Sequence, residues 1–365
     1  MKKFKIKSTV AVSAASILTL ATVGCGSSAP ANNATASQPA PKPTVSAVLN
    51  VGNFGAYLPK DILTQFEAKY HTHINYATYT TNPELLAKMQ AGDQFDVAVA
   101  SDWMVDTMIH LNLLNKIDYQ YVPNIKNIDP NMRQLAFDPS GNYSVPYLYG
   151  ATAIAVNTGK VKTKVTTWTD LLNPEFKSKL VVPDDSRDMI GTMLIINGHN
   201  LNDAVPADLN QAASTLSKFR PQVKVFDSDQ PHVELLNGEA TAGIVWTGEG
   251  AQAYSQNPKI LPVYPDTGMQ KWVDNMVIPA NAANKYTAEL FINFLLDPKI
   301  SAELENDQEY SDPNFAAKPY IDPALLSNPW VELPSSVVKN GEVELALTAQ
   351  NQKLYSQIWT SFKAQ

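Results

Sequence analysis

Between Ala47 and Ala100 the chain alternates short apolar runs with segments of helical periodicity, and this alternation constrains the fold more than any other feature. Ala47 to Val51 reads as a strand. After the loop Gly52 to Pro59, the segment Asp61 to Tyr70 sets Ile62, Leu63, Phe66 and Tyr70 at helical spacing. Ile74 to Ala77 repeats the strand pattern, Pro83 to Gln90 the helical one, and Phe95 to Ala100 is a run of the kind buried on both faces. This order predicts a mostly parallel sheet with helices on both faces, and it places ligand sites at the loops beyond the carboxyl ends of the strands.

The alternation then repeats. Tyr143 to Pro146 and Ala151 to Asn157 flank Tyr147-Leu148-Tyr149-Gly150, a strand-like passage broken by an aromatic pair and a glycine that reads as a crossing between lobes. Trp168 to Leu172, Met189 to Asn197 and Ala207 to Phe219 have helical spacing. Leu180 to Val182, Val223 to Phe226, Gly243 to Trp246 and Ile260 to Tyr264 have strand character. Lys271 to Pro279 alternates with period two, which puts Trp272 and Asp274 on one face. Helices follow over Tyr286 to Leu296 and Pro298 to Glu305, Tyr310 to Asn314 breaks the pattern, and a last helix is expected from Val343 to Phe362. At 365 residues and 44% hydrophobic content, the chain is long enough for two such domains.

The amino-terminal residues belong to neither domain. Residues 1–24 carry Lys2, Lys3, Lys5 and Lys7 ahead of an apolar run, Val10 to Val23, that is too short for a membrane span and reads as a secretory signal. Cys25 is the only cysteine and follows Ala21-Thr22-Val23-Gly24, which resembles the bacterial lipoprotein cleavage box with Thr22 in place of the usual leucine. Lipidation of Cys25 is expected, with residues 25–46, rich in Ser, Ala, Pro and Asn, as a flexible linker. Loss of the leader removes four lysines and no acids, moving the formal charge from -7 to -11. An exported chain this acidic is a poor partner for nucleic acid and suits small cations.

Acids and aromatics gather at the ends of the expected strands. In Pro183-Asp184-Asp185-Ser186-Arg187-Asp188, a strand hands over to a helix, and Asp185 and Asp188 fall on one side of its first turn. Capping alone favours such a pair, and so does the holding of a cation. Phe54, Tyr57, Ser101, Asp102, Trp103, Tyr147, Trp246, Trp272, Asp274 and Tyr310 complete the set. Motifs of catalysis are missing: there is no Gly-x-Ser-x-Gly elbow, no glycine-rich phosphate loop and no His-Glu-x-x-His, and His71, His73, His110, His199 and His232 do not read as a metal set. An enzyme is not expected.

From Ala47 onward the chain resembles the spermidine/putrescine-binding proteins of ATP-driven polyamine importers. The passages that carry the resemblance include Asn53-Phe54-Gly55-Ala56-Tyr57-Leu58-Pro59, Ser144 to Ile154, Asp184 to Asp188, Trp272-Val273-Asp274, Ile278 to Ala282 and Lys339-Asn340-Gly341-Glu342. The resemblance implies an α/β periplasmic-binding-protein fold of type II, with two lobes, each a mixed, mostly parallel sheet flanked by helices, and a ligand cleft between them. Expected lobes are 47–150 plus 275–318 and 151–274 plus 319–365. It implies a polyamine ligand, a membrane permease and ATPase as partners, a monomer, and no cofactor or metal. The chain would work outside the cytoplasm, on the outer face of the cytoplasmic membrane or in the periplasm.

By the same resemblance Tyr57, Trp103, Trp246, Trp272 and Tyr310 would be ligand aromatics, with Phe54 where tryptophan is common, and the strand-end Tyr147 is expected beside them. Asp185, Asp188 and Asp274 would be the acids, and Ser101 would add a hydroxyl. The chemistry fits, because a thin alkyl chain with spaced ammonium groups needs aromatic faces and carboxylates together. Ala56 stands where a spermidine-binding relative carries glutamate, and Asp102 and Glu344 are expected to replace that charge. Rival readings are a ferric-iron or other small-solute binder of the same fold, and a surface sensor or adhesion lipoprotein.

Overall fold

Strand β4 (Ser144–Asn157) is 14 residues long, buried almost throughout, and common to both halves of the molecule. The computed structural model describes residues 43–55 and 57–365. The expected leader, Cys25, all but the last residues of the linker, and Ala56 lie outside them. The amino-terminal part of β4 pairs with β9 (Lys271–Val277), and the carboxyl-terminal part with β7 (Ala242–Trp246) and β8 (Ile260–Val263), all antiparallel. The break expected inside this passage is not there. Its local signals have other causes: the register shifts between Pro146 and Leu148, where proline offers no N–H to the ladder, and Gly150 makes room for a tryptophan.

On one side of β9 the sheet continues antiparallel to β3 (Val97–Ser101), then parallel through β1 (Val48–Phe54) to β2 (His73–Tyr79). On the other side of β4, β7 pairs in parallel with β5 (Leu180–Val182), which pairs with β6 (Val223–Phe226). The full order is β2-β1-β3-β9-β4-β7-β5-β6, with β8 also on β4. Strands joined through a helix are parallel, but β9 runs against β1 to β3 and β4 runs against β5 to β8, which makes the sheet mixed.

Apolar side chains form two cores. The first gathers Leu49, Ile62, Phe66, Val97, Met276 and Phe291, and the second Trp168, Phe176, Leu194, Phe219, Ile244 and Trp330. β4 feeds both, through Val145 and Leu148 in the first and Ala153 and Ile154 in the second. Burying each large side chain contributes about 1.5–3 kcal/mol, so β4 and β9 are firmly held while the chain passes from one core to the other.

The last helix starts later than its periodicity predicts, at Ala349, where the Thr348 hydroxyl accepts from Asn351 N. Distant side chains hold the preceding residues extended. Asn202 donates to Val343 O and accepts from Leu345 N, and Ala346 N donates to Asp106 Oδ2. Backbone groups engaged in this way cannot make helical bonds, and Glu344 is carried on the extended segment.

Candidate functional site

One end of the site is built on β9. Antiparallel register sets Ser101, at the carboxyl end of β3, opposite Asp274. Ser101 Oγ donates to Asp274 Oδ1 at 2.7 Å, and the Tyr57 hydroxyl donates to Oδ2 at 2.8 Å. Asn82 steadies the serine, donating to its Oγ at 3.0 Å and accepting from its N–H at 3.1 Å. Around this carboxylate the rings of Tyr57, Phe54, Tyr147 and Tyr310 interlock edge to face, with centroids 5.5–6.0 Å from Tyr57. Such pairs contribute about 0.5–1.5 kcal/mol each beyond area burial. Tyr147 also donates to Tyr57 O at 2.5 Å.

Trp272 packs against Tyr310 at 5.3 Å, and two glycines make that packing possible. A Cβ at Gly150 would lie 2.3 Å from Trp272 Cζ2, and one at Gly248 would lie 2.2 Å from Tyr310 Cε1. The Trp272 indole nitrogen is buried without a hydrogen-bond partner.

The other end is built where β5 meets helix Ser186–Ile196. Asp185 caps that helix, its Oδ1 accepting from Arg187 N at 2.7 Å and Asp188 N at 3.2 Å. Capping therefore operates at Asp185, while Asp188 in the first turn is held from the sheet. Thr152 Oγ1 donates to Asp188 Oδ1 at 2.7 Å, and the Trp246 indole N–H donates to Oδ2. Thr152 and Trp246 are register partners on β4 and β7, so one rung of the ladder supplies both donors.

Arg187 lies between the two ends. Its Nε is 3.5 Å from Glu344 Oε2, and its NH2 group donates to Leu345 O at 2.9 Å. The guanidinium sits 5.8 Å from the Trp103 ring centre and 5.4 Å from that of Tyr355. Gln270 donates to Glu344 Oε1 at 3.1 Å. Asp102 opens helix Asp102–His110 and gives both oxygens to backbone amides, Oδ1 to Trp103 N at 2.7 Å and Oδ2 to Val273 N at 3.4 Å. Sequence reasoning missed Arg187, Tyr355, Gln270 and Thr152. Arg187 alone had a local signal, its place between the two aspartates.

Asp102, Asp188, Asp274 and Glu344 are 1%, 4%, 8% and 4% exposed. Burial pushes the Asp274 carboxyl up to about 6, against the pull of its Ser101 and Tyr57 hydrogen bonds. Burial likewise pushes Glu344 up to about 7, with Arg187 pulling the other way. Asp188 is driven well above the usual carboxylate range by burial and by the charges of Asp185 and Glu344, and Asp102 by burial and Glu344. With Asp185, five carboxyl groups thus share one region with the Arg187 guanidinium and, beside Asp102, the buried Lys271, so acids outnumber bases there and the region suits cations. Elsewhere, His199 lies with Asp203 and Asp208, their ligating atoms within 4.8 Å of one another. No helix among the described residues is long and apolar enough to cross a membrane.

Over residues 61–324 the chain matches the family described as bacterial extracellular solute-binding protein. It is 34% identical over 315 residues to the spermidine/putrescine-binding periplasmic protein of Escherichia coli (strain K12), covering 86% of this chain and 90% of the relative. Among solved structures, the spermidine/putrescine ABC transporter substrate-binding protein PotD of Streptococcus pneumoniae aligns with a TM-score of 0.78 at 29% identity, over 87% of this chain and 99% of that one. The Tp0655 (TpPotD) lipoprotein of Treponema pallidum aligns with a TM-score of 0.79 at 27% identity, over 87% of this chain and 100% of that one. The binding-protein fold expected from the sequence is the fold these structures share.

Proposed function

Since the chain belongs to the bacterial extracellular solute-binding proteins, we propose that it captures a polyamine, spermidine or putrescine, and delivers it to an ABC-type importer. The observation that carries this reading is the excess of buried carboxylates, lined by Tyr57, Trp246, Trp272 and Tyr310 and held in place by donors from the fold. Unpaired buried charge costs several kcal/mol, and a flexible diammonium or triammonium chain offsets that cost at more than one point along its length. A neutral solute does not.

The lobes are taken as 47–150 plus 275–318 and 151–274 plus 319–365, with β4 and β9 as the crossing strands. Tyr57 and Ser101 then belong to the first lobe and Asp185 and Asp188 to the second, while Asp274 sits on the crossing. A ligand that touches both lobes favours the closed form by the difference in its affinity for the two states, and the closed form docks on the permease. No bond is made or broken.

Lipidation at Cys25, with residues 25–46 as tether, would hold the protein at the outer face of the cytoplasmic membrane or in the periplasm as a monomer. The lipoprotein relative in Treponema pallidum supports that placement. Replacing Cys25 by alanine should release the exported protein from the membrane fraction.

Calorimetric titration with spermidine, putrescine and a neutral diol of putrescine's length tests the ligand class. Saturable binding of an amine with no heat from the diol is expected, and scattering should show compaction at saturation. Failure of both amines to bind would overturn the polyamine reading.

A further inference from the structure

His199 stands apart from the other histidines along the sequence, and the fold surrounds it with oxygens. It follows helix Ser186–Ile196, in the loop that leads into helix Pro206–Phe219. Asp208 and Gln211 are three apart on that second helix, a spacing that puts both on one face. Their oxygens meet one nitrogen of the imidazole: Asp208 Oδ1 lies 3.7 Å from His199 Nε2, and Gln211 Oε1 lies 3.1 Å from it. Asp203 stands at the other nitrogen, its Oδ2 3.9 Å from Nδ1. Val205 N donates to Asp203 Oδ1 at 2.8 Å and fixes how that carboxylate faces the ring.

An ion pair alone accounts for these distances less well than a shared cation does. Both carboxylates lie beyond hydrogen-bond reach of the ring. Two atoms bound tetrahedrally to one zinc ion, each at about 2.0–2.1 Å, are about 3.3 Å apart, and the separations of 3.1 and 3.7 Å around Nε2 bracket that value. Bases that could neutralise the acids are missing locally. No lysine or arginine falls between Arg187 and Lys218, and among the described residues the ion pairs of Asp203 and Asp208 are with His199 alone.

We propose that this loop binds a divalent transition metal of the zinc type. His199 Nε2, Asp208 and Gln211 are the ligands, and Asp203 faces Nδ1–H and orients the ring, in a carboxylate–histidine–metal arrangement. An imidazole with oxygen donors suits zinc better than magnesium or calcium, which take all-oxygen sets. His199, Asp203 and Asp208 are half-buried, so water reaches the ion and completes its coordination. The site takes no residue from the amine cleft, yet the same loop reaches it: Asn202 donates to Val343 O and accepts from Leu345 N, on either side of Glu344. A metal that ties the loop to helix Pro206–Phe219 therefore steadies the segment that carries Glu344.

Calorimetric titration with zinc chloride on the exported protein carrying Cys25→Ala, which removes the only thiol, tests the site. One zinc ion per chain should bind, the melting temperature should rise, and hydrogen exchange over residues 198–211 should slow. His199→Ala should lose at least about a hundredfold in zinc affinity, and Asp203→Asn, which keeps the shape of the side chain, about tenfold. His73→Ala, at the exposed pair with Glu67, should bind zinc as the parent does. If His199→Ala loses its melting transition, Asp208→Asn decides, and should bind zinc at least about tenfold more weakly than the parent. Absence of saturable zinc binding, or binding that these variants leave unchanged, the mark of an adventitious ion only, would overturn the proposal.

Discussion

The hydroxyl of Tyr57 donates to Asp274 Oδ2 at 2.8 Å across 217 residues of chain, and Ser101 takes the other oxygen of the same carboxylate. The first strand-to-helix loop, the end of β3 and the crossing strand β9 are thereby tied to one acidic group. Both donors hold the carboxylate in one orientation among Trp272 and Tyr310, so it is positioned before any ligand arrives.

Asp274→Asn keeps the shape of that group and removes its charge. Truncating one partner of a buried charge pair costs about 2–5 kcal/mol, so amine affinity should fall by two orders of magnitude or more. Ligand-free stability should hold or rise, because the variant no longer has to keep a buried carboxylate ionised. Titration calorimetry and thermal melts at pH 7.5 measure the two effects separately. A variant that still binds with wild-type affinity would remove Asp274 from the site.

The raised carboxyl pKa values make stability fall with pH. For an acid whose folded pKa exceeds its unfolded one, the native state binds more protons between the two values. Stability is therefore fullest below the unfolded pKa and is lost as pH rises through the folded one. Asp274 moves from 3.8 to about 6, which corresponds to about 3 kcal/mol. Glu344 and Asp312, both at about 7, and Glu305 at about 9 shift the same way. The ligand-free melting temperature should therefore drop between pH 4.5 and 8, and a flat profile would contradict the burial of these acids.

Amine binding should reverse that trend. Ammonium groups favour the ionised carboxylates, so binding at pH 6 releases protons and affinity climbs as pH rises from 5 to 7.5. Calorimetry at pH 6 in two buffers of different ionisation enthalpy would show different apparent heats. Identical heats would mean that no carboxyl changes its protonation on binding.

Legibility in the sequence followed the distance over which each feature is determined. Strand and helix identities are local, and the alternation gave β1 to β3 and β5 to β9 close to their observed limits. Asp185 was legible as a cap because capping is a property of one turn, whereas the partners that hold Asp188, Thr152 and Trp246, come from the sheet. The continuity of β4 was not, because Pro146 and Gly150 carry local break signals whose real partners, a shifted ladder and the Trp272 ring, come from elsewhere in the chain. Arg187 was hidden for the same reason: the carbonyl it meets lies 158 residues away, on a segment whose periodicity suggested helix.

Asp102 separates structural acid from ligand acid. Its oxygens accept from Trp103 N and Val273 N, and burial with Glu344 pushes its carboxyl well above the usual range, so Asp102→Asn, which keeps one acceptor and removes a buried acid, should leave the ligand-free melting temperature level or higher and amine affinity within about threefold. A tenfold loss of affinity at constant melting temperature would instead return Asp102 to the ligand.

Gly248 and Gly250 lie on one helix, Thr247–Gln256, and face different neighbours. In an exposed helix either glycine-to-alanine change would stabilise by up to about 1 kcal/mol. Here the added methyl would lie 2.2 Å from Tyr310 Cε1 at position 248 and 2.2 Å from Trp330 Cε3 at position 250. Overpacking of this kind costs about 1–3 kcal/mol, so the clash outweighs propensity at both positions. Tyr310 belongs to the site and Trp330 to the second core. Gly248→Ala should therefore weaken amine binding about tenfold, whereas Gly250→Ala should lower the melting temperature with affinity preserved. Equal losses of affinity in both variants would show that Tyr310 acts through general stability, and would take it out of direct contact with the ligand.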